Sequence, residues 1–299
     1  MPEGTSVSLL NLDGLAKPAD TFIKKVSEAV GGVFAPFQVV RMAKAETKAA
    51  LVKAHGEIEV TELRRRAMHR FVEEETQKQQ NIEDITSKAL PHLSAAANPG
   101  AMERDWITNF FDKSRIITDQ DMQALWARVL AGEANVPGTF SKRTVNLLGD
   151  LDKTDAELFS KLCGFIWTFS DFVPLIFDVQ AEIYTRQGIT FDSLSHLNSI
   201  GLIQFDNLGG FCKIANPCGQ PAVPIDFNVS YQGRSLTLQF SKEKEWRISA
   251  GKAFFTKTGQ EIAAICGKPP VDGFWEYVLE QWKAYLPKPV PNPPTAVPS

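Results

Sequence analysis

The chain has 299 residues, long enough for two domains that each bury a core of their own. Its 43% hydrophobic and 22% charged content is that of a soluble globular protein, and a net charge of −3 argues against a general nucleic-acid binder, which carries a basic domain or stripe. Cys163, Cys212, Cys218 and Cys266 are scattered without a CxxC pair, so they read as free buried thiols and not as zinc ligands.

The first twenty residues lack a basic stretch followed by a continuous apolar core, so no secretory signal is visible and a cytoplasmic protein is expected. Residues 1–40 form an apolar N-terminal segment. Within it Phe22, Ile23, Val26, Ala29 and Val30 follow helical spacing until Gly31 and Gly32 break the pattern. Such a segment needs cover. Packing on the protein's own body, oligomerisation and shallow membrane contact are the three readings.

Residues 41–98 read as one long charged helix or a helical hairpin, rich in Ala, Glu, Lys, Arg and Gln. Its apolar positions, including Ile58, Leu63, Met68, Phe71, Ile82 and Ile85, are too irregular for a strict heptad, which favours a helix leaning on neighbours over a long coiled coil. Arg64, Arg65 and Arg66 precede Glu73, Glu74 and Glu75 by about two turns, a solvated and self-compensating pattern.

Residues 99–180 read as a compact helical module. Trp106, Ile107, Phe110 and Phe111 share one face of a short helix. Thr118 is placed as the N-cap of the next, with Asp119 and Asp121 in its first turn. Met122, Leu125, Trp126, Val129 and Leu130 form its buried stripe, and Gly132 is placed to end it. Ser141 caps a helix carrying Val145 and Leu148. Thr154 and Glu157 are read as a capping box opening a helix that buries Leu158, Leu162, Phe165 and Ile166. The apolar run at 162–177 contains Asp171 and Pro174 and is shorter than the ~20 residues of a spanning helix, so it reads as a buried helix plus turn.

Residues 181–286 change character. A short helix ends at Gly201 and runs into a strand at 202–205. Ile225, Phe227, Val229 and Tyr231 then alternate with polar residues, as do Leu236, Leu238 and Phe240, with Gln232, Gly233 and Arg234 as the hairpin tip. Further strands are read around Trp246 and Ile248 and at 252–255, followed by a helix from Thr256 and an amphipathic one over 274–286. This order predicts a winged-helix-like domain. Residues 287–299 are proline-rich and read as an extended tail. The fold class expected is mainly α with a smaller α+β part.

Two blocks of residues carry a resemblance. The first holds Asp121-Met-Gln-Ala-Leu-Trp126, Leu130-Ala-Gly-Glu133, Pro137-Gly138, Ser141, Arg143-Thr144 and Asp155-Ala156; the second pairs LNSIGLI with a later FFTKTGQEIA. Together they resemble an uncharacterised bacterial family with a domain of unknown function. More distantly they are similar to the alpha-type abortive-infection proteins, whose closing LT-x-x-G motif has Phe255 here in place of the Leu. The resemblance implies a link to defence against phage and marks Trp126, Glu133, Ser141 and Arg143 as motif positions without an assigned role.

Catalytic motifs are sparse. Glu133 near Arg143 reads as a salt bridge or cap, and His55, His69, His92 and His196 are isolated, so neither a metal nor a cofactor is expected. GxxxxGK[ST], GxGxxG and GxSxG do not occur. The recognition segment of the winged domain, residues 193–200, contains no Lys or Arg, which leaves Arg234, Lys242 and Lys244 as the candidate nucleic-acid contacts. The expectation is a non-enzymatic phage-defence-type interaction protein with a protein partner or a homo-oligomeric state. The alternatives are a winged-helix nucleic-acid-binding regulator and a membrane-associating effector.

Overall fold

The computed structural model describes residues 16–30, 62–214, 225–240, 247–267 and 269–287, and the chain divides into two compact units, Met1–Asp150 and Leu151–Ser299. The division falls within the stretch read from sequence as one helical module. The fold is mainly α with an α+β part.

The first unit holds α1 (Ala16–Val30), α2 (Glu62–Ala89), α3 (Arg104–Ser114), α4 (Gln120–Asn135) and α5 (Lys142–Asp150). α4 buries Met122, Leu125, Trp126, Val129 and Leu130, the stripe its 3.6-residue period dictates. It packs against the C-terminal half of α2, where Ile82, Ile85 and Ala89 are buried, while α3 packs on α1 and α5. Phe110 of α3 meets Trp126 edge-on at 5.0 Å. Polar residues trapped between α2 and α4 are satisfied: Asn81 donates to the Arg115 carbonyl at 2.8 Å and Gln123 to the Ile117 carbonyl at 2.9 Å. Phe22 and Val26 of α1 are fully buried, so this part of the N-terminal segment packs on the protein's own body.

Local details differ from expectation. Asp119, not Thr118, caps α4: its carboxylate accepts from the amides of Asp121 and Met122, both at 3.0 Å, using two orphan donors of the first turn where a hydroxyl would use one. Gly132 does not end α4, which continues to Asn135.

The second unit opens with α6 (Lys153–Cys163), whose capping box is Asp152 with Asp155, not Thr154 with Glu157. Phe159 takes the buried position in place of half-buried Leu158. Beyond Cys163 the apolar run forms a hairpin and not more helix: β1 (Ile166–Thr168) pairs antiparallel with β2 (Phe172–Pro174). Aromatic and β-branched residues around a Ser170-Asp171 turn favour strands there. Next come α7 (Glu182–Thr185), α8 (Phe191–Ser199), β3 (Ile203–Phe205), β4 (Phe211–Ile214), β5 (Ile225–Tyr231), β6 (Arg234–Phe240), β7 (Arg247–Gly251), β8 (Ala253–Phe255), α9 (Lys257–Ala263) and α10 (Phe274–Gln281).

β5 and β6 form the expected hairpin about Gln232 and Gly233, both with positive φ, and join β1 and β2 in a sheet of order β2-β1-β5-β6. β3 pairs with β8 and β4 with β7, so these four strands are two antiparallel pairs with the β5–β6 hairpin inserted between them in sequence. Trp246 and the proline-rich tail beyond Pro287 lie outside the described residues. Of the cysteines, Cys163 is buried and Cys266 half-buried. Cys212 is exposed, against the expectation of burial, because β4 alternates with its even positions outward; Cys218 is outside the described residues.

The core of this unit is aromatic. Trp167 is fully buried between Tyr231 (5.6 Å, 23°) and Trp275 (5.1 Å, 16°), with Trp282 edge-on at 5.1 Å. Two tyrosines are tied through their hydroxyls. Tyr231 donates to the Gly164 carbonyl at 3.0 Å and accepts from the Val271 amide at 2.9 Å. Tyr184 donates to the Leu175 carbonyl at 2.9 Å and accepts from the Phe177 amide at 3.2 Å.

Burial pushes the pKa of Tyr184, Tyr231 and Tyr277 above the ordinary phenol value. In the unfolded chain these phenols ionise near pH ~10, whereas in the folded chain they stay neutral to higher pH. Their contribution to stability is therefore complete below about pH 10 and is lost as pH rises through the folded values. Alkaline denaturation followed by tryptophan fluorescence is expected to show this loss, and Tyr184→Phe to flatten its slope.

Candidate functional site

Glu133, Pro137, Gly138 and Ser141 of the first motif block line an open cleft of about 530 Å³, together with Glu103, Trp106 and Lys142. Its floor is set by the last turns of α4. Leu130 and Ala131 point into the core, and Glu133 is 3% exposed. A carboxylate this buried needs donors. It finds two in the following turn: the Gly138 amide donates to Oε1 at 2.6 Å and the Phe140 amide to Oε2 at 2.9 Å.

Phe140 is held at its carbonyl as well, which accepts from the Trp106 indole nitrogen at 2.7 Å. Its ring lies against Gly132, where a Cβ would stand 2.6 Å from Cε2. Gly132 is thus required by the close approach of Phe140, not by the end of the helix. The next residue, Ser141, opens α5 by accepting from the Thr144 amide at 3.2 Å. Of the four motif positions, Trp126, Glu133 and Ser141 are structural in placement. Arg143 is exposed on α5, is not among the lining residues and is not paired with Glu133. Both Glu133 oxygens are engaged by backbone amides, so the cleft's outward chemistry is left to the exposed Glu103 and Lys142.

The second motif block is a brace of the same kind. Thr256 accepts from the Gly259 amide at 3.0 Å as the N-cap of α9 and donates to the Gly201 carbonyl at 2.7 Å. Its own amide donates to the Leu202 carbonyl at 3.1 Å, and Ile203 pairs with Phe255. A Cβ on Gly259 would lie 2.0 Å from the Leu202 carbonyl oxygen. The TKTG of one motif therefore docks on the GLI of the other, and the pairing seen as two separated strings is one physical contact.

The nucleic-acid candidates are dispersed. The Arg234 guanidinium lies over the Trp275 ring at 4.0 Å and 4.0 Å from Glu276. Lys242 and Lys244 lie outside the described residues. In α8, His196 is within 2.6 Å of Asp155 on α6. Sequence reasoning missed the roles of Trp106, Phe140 and Gln260, whose side chain accepts from the Phe172 amide and donates to its carbonyl at 3.2 and 2.6 Å. Only a tryptophan needing an acceptor when buried pointed toward the first; nothing in the sequence marked the other two.

The chain belongs to the DUF2806 family, a family of proteins of unknown function, whose model matches residues 65–279. No curated protein and no solved structure matches the chain. The DUF2806 match begins inside α2, ends inside α10 and contains both braces.

Two substitutions test the first brace. Glu133→Ala strands the Gly138 and Phe140 amides and is expected to cost about 2–4 kcal/mol in urea denaturation. Gly132→Ala would gain about 1 kcal/mol of helix propensity in an unobstructed helix. Here the displaced Phe140 ring is expected to outweigh that gain and leave the protein less stable, by about 1–2 kcal/mol.

Proposed function

We propose that this chain is a non-enzymatic, phage-defence-type interaction protein that acts by self-assembly and by sensing a partner. The observation that carries this reading is the N-terminal half of α2. There Leu63, Met68 and Phe71 are 69%, 45% and 59% exposed on a helix otherwise covered in charge. Large apolar side chains repeated on one exposed helix are characteristic of an interaction surface. The motif positions support the reading from the other side: Glu133, Ser141 and Thr256 serve backbone amides and hold shape. The defence context comes from the resemblance of those same motifs to alpha-type abortive-infection proteins.

A second reading, a winged-helix-like regulator, draws on the order α8, β3, a strand ribbon and α9. It gains little from charge, since α8 carries no Lys or Arg and Arg234 lies over Trp275 beside Glu276. This reading predicts duplex binding that weakens with salt and with neutralisation of Arg234, Lys242 and Lys244. Absence of binding at low salt removes it. For the membrane alternative, Phe22 and Val26 are spent on the core, and among the described residues no helix is long and apolar enough to cross a membrane.

The deciding experiment is phage plating on a permissive bacterium expressing the chain. Plating efficiency is expected to fall, and Phe71→Asp, at an exposed site, to abolish the effect with an unchanged melting temperature. Unchanged plating across a broad phage panel overturns the defence reading.

A further inference from the structure

The sheet of order β2-β1-β5-β6 has two edges, and the sequence treats them differently. At the β2 edge the Gln260 side chain takes the place of a strand, accepting from the Phe172 amide at 3.2 Å and donating to its carbonyl at 2.6 Å. Pro174, two residues on and facing the same way, has no N–H to offer. That edge is closed to further pairing.

The β6 edge is open. Tyr231 and Arg234 flank the two-residue turn and so exchange backbone hydrogen bonds, after which bonding alternates along the antiparallel ladder. Leu236, Leu238 and Phe240 therefore bond inward to β5, while the amides and carbonyls of Ser235, Thr237 and Gln239 face outward. β5 follows the same alternation: Ser230, turned away from β6, is the residue that pairs with Thr168 of β1. Among the described residues no backbone group of β6 bonds to anything but β5. The strand also lacks the usual guards of an edge. Its sequence RSLTLQF holds no Pro, no Lys and no bulge, and its one charge, Arg234, stands at the end over Trp275. The hydrogen-bond pattern specifies the occupant as an extended strand whose own outward groups repeat every second residue.

A second β6 meets this specification. Turned antiparallel about a two-fold axis at Thr237, it sets Thr237 level with Thr237 and Ser235 with Gln239, the register that uses every outward group of both copies. It also sets Leu236, half-buried in one chain, level with the buried Leu238 of the other copy on the core face. Polar residues meet polar ones on the opposite face. The two Arg234 positions stand at opposite ends, roughly 20 Å apart, whereas a parallel pairing sets them side by side. We propose that β6 pairs antiparallel with β6 of a second copy about Thr237, joining the two sheets edge to edge. The proposal deepens the self-assembly part of the reading above and rests on it; self-complementarity of one element is what a two-fold contact requires. The paired stretch is only ~24 Å long, so the dimer dissociates on dilution.

The test uses the full-length chain, with mass read by light scattering across a dilution series and amide hydrogen exchange by NMR at both ends of it. The wild type is expected to double in mass as concentration rises. Exchange at Ser235, Thr237 and Gln239 is expected to slow about tenfold with it, while Leu236 and Leu238 stay protected throughout. Thr237→Pro removes an amide that β5 does not use, so the circular dichroism spectrum is expected to persist and the dimer to be lost. If Thr237→Pro unfolds the hairpin, T237K and T237E decide. Each alone is expected to stay a single chain, because like charges face each other at the axis, and an equal mixture to recover the doubled mass. A wild type that remains a single chain at all concentrations overturns the proposal. So does a dimer whose Ser235, Thr237 and Gln239 amides exchange as fast as in the single chain, since the copies then meet elsewhere. Protection of these amides already present in the single chain overturns it too, because another segment of the same chain then holds the edge. Plating is read independently: a single chain that restricts phage through Phe71 loses the β6 pairing and keeps the interaction reading. A β6 dimer without restriction keeps the pairing and loses the defence reading.

Discussion

The buried carboxylate of Glu133 is the constraint on which the first unit's geometry depends. A charged group taken out of water at the end of a packed helix is unfavourable unless its oxygens meet donors. The donors it meets are amides of the turn after α4, so the turn folds back over the helix that carries the carboxylate. Gly138 and Phe140 supply those amides, and the fold-back carries the Phe140 ring onto α4. The ring then requires a residue without a Cβ one turn position earlier, which is Gly132. The Phe140 carbonyl, exposed by the same fold-back, takes the Trp106 indole proton and so ties in α3. Two consecutive residues, Gly132 and Glu133, are thereby explained by one buried carboxylate and its consequences.

The second unit solves a related problem with a neutral group. Thr256 has one hydroxyl, which accepts from its own helix and donates across to the strand entry at Gly201. The helix start is thus pinned to the neighbouring strand with no buried charge at all. Gly259 permits the approach by leaving room for the Leu202 carbonyl. Both motif blocks of the chain therefore serve contact between backbone segments. Among the motif positions, the Glu133 oxygens and the Thr256 hydroxyl are taken up by such contacts, whereas Arg143 is exposed and the buried Trp126 indole nitrogen has no hydrogen-bond partner among the described residues.

Periodic elements were legible in the sequence because period depends only on neighbours along the chain. The α4 stripe, the β5–β6 alternation and the Ser141 cap follow from spacing of three, four or two residues and were read correctly. Contacts made at long range were not. The helix-versus-strand choice after Cys163 failed because Phe165, Ile166 and Trp167 fit either period; the pairing of Ile166 with Pro174 decides it, and a run this short holds no independent sign of that pairing. Gly132 was assigned to a helix end on local grounds, when its true neighbour is eight residues on. The capping errors at Thr118 and Thr154 share one cause. In each case an aspartate within two residues outcompetes threonine, because a carboxylate is the stronger acceptor at the positive helix end and gains from the dipole as well.

The charged helix α2 shows why pattern and role must be argued separately. Its C-terminal half leans on α4, as the irregular heptad implied, with Asn81 and Gln123 satisfied between the two helices. Its N-terminal half has no such neighbour among the described residues, yet keeps Leu63, Met68 and Phe71. Leu and Met form helix about as well as Glu or Lys, so what sets these residues apart is the apolar area they leave in water. Charge balance along the helix does not require blocks either: alternating Glu and Arg four residues apart would give more internal pairs than three Arg followed by three Glu. Large apolar side chains left in water on an otherwise charged helix are the physical basis for reading this half as an interface.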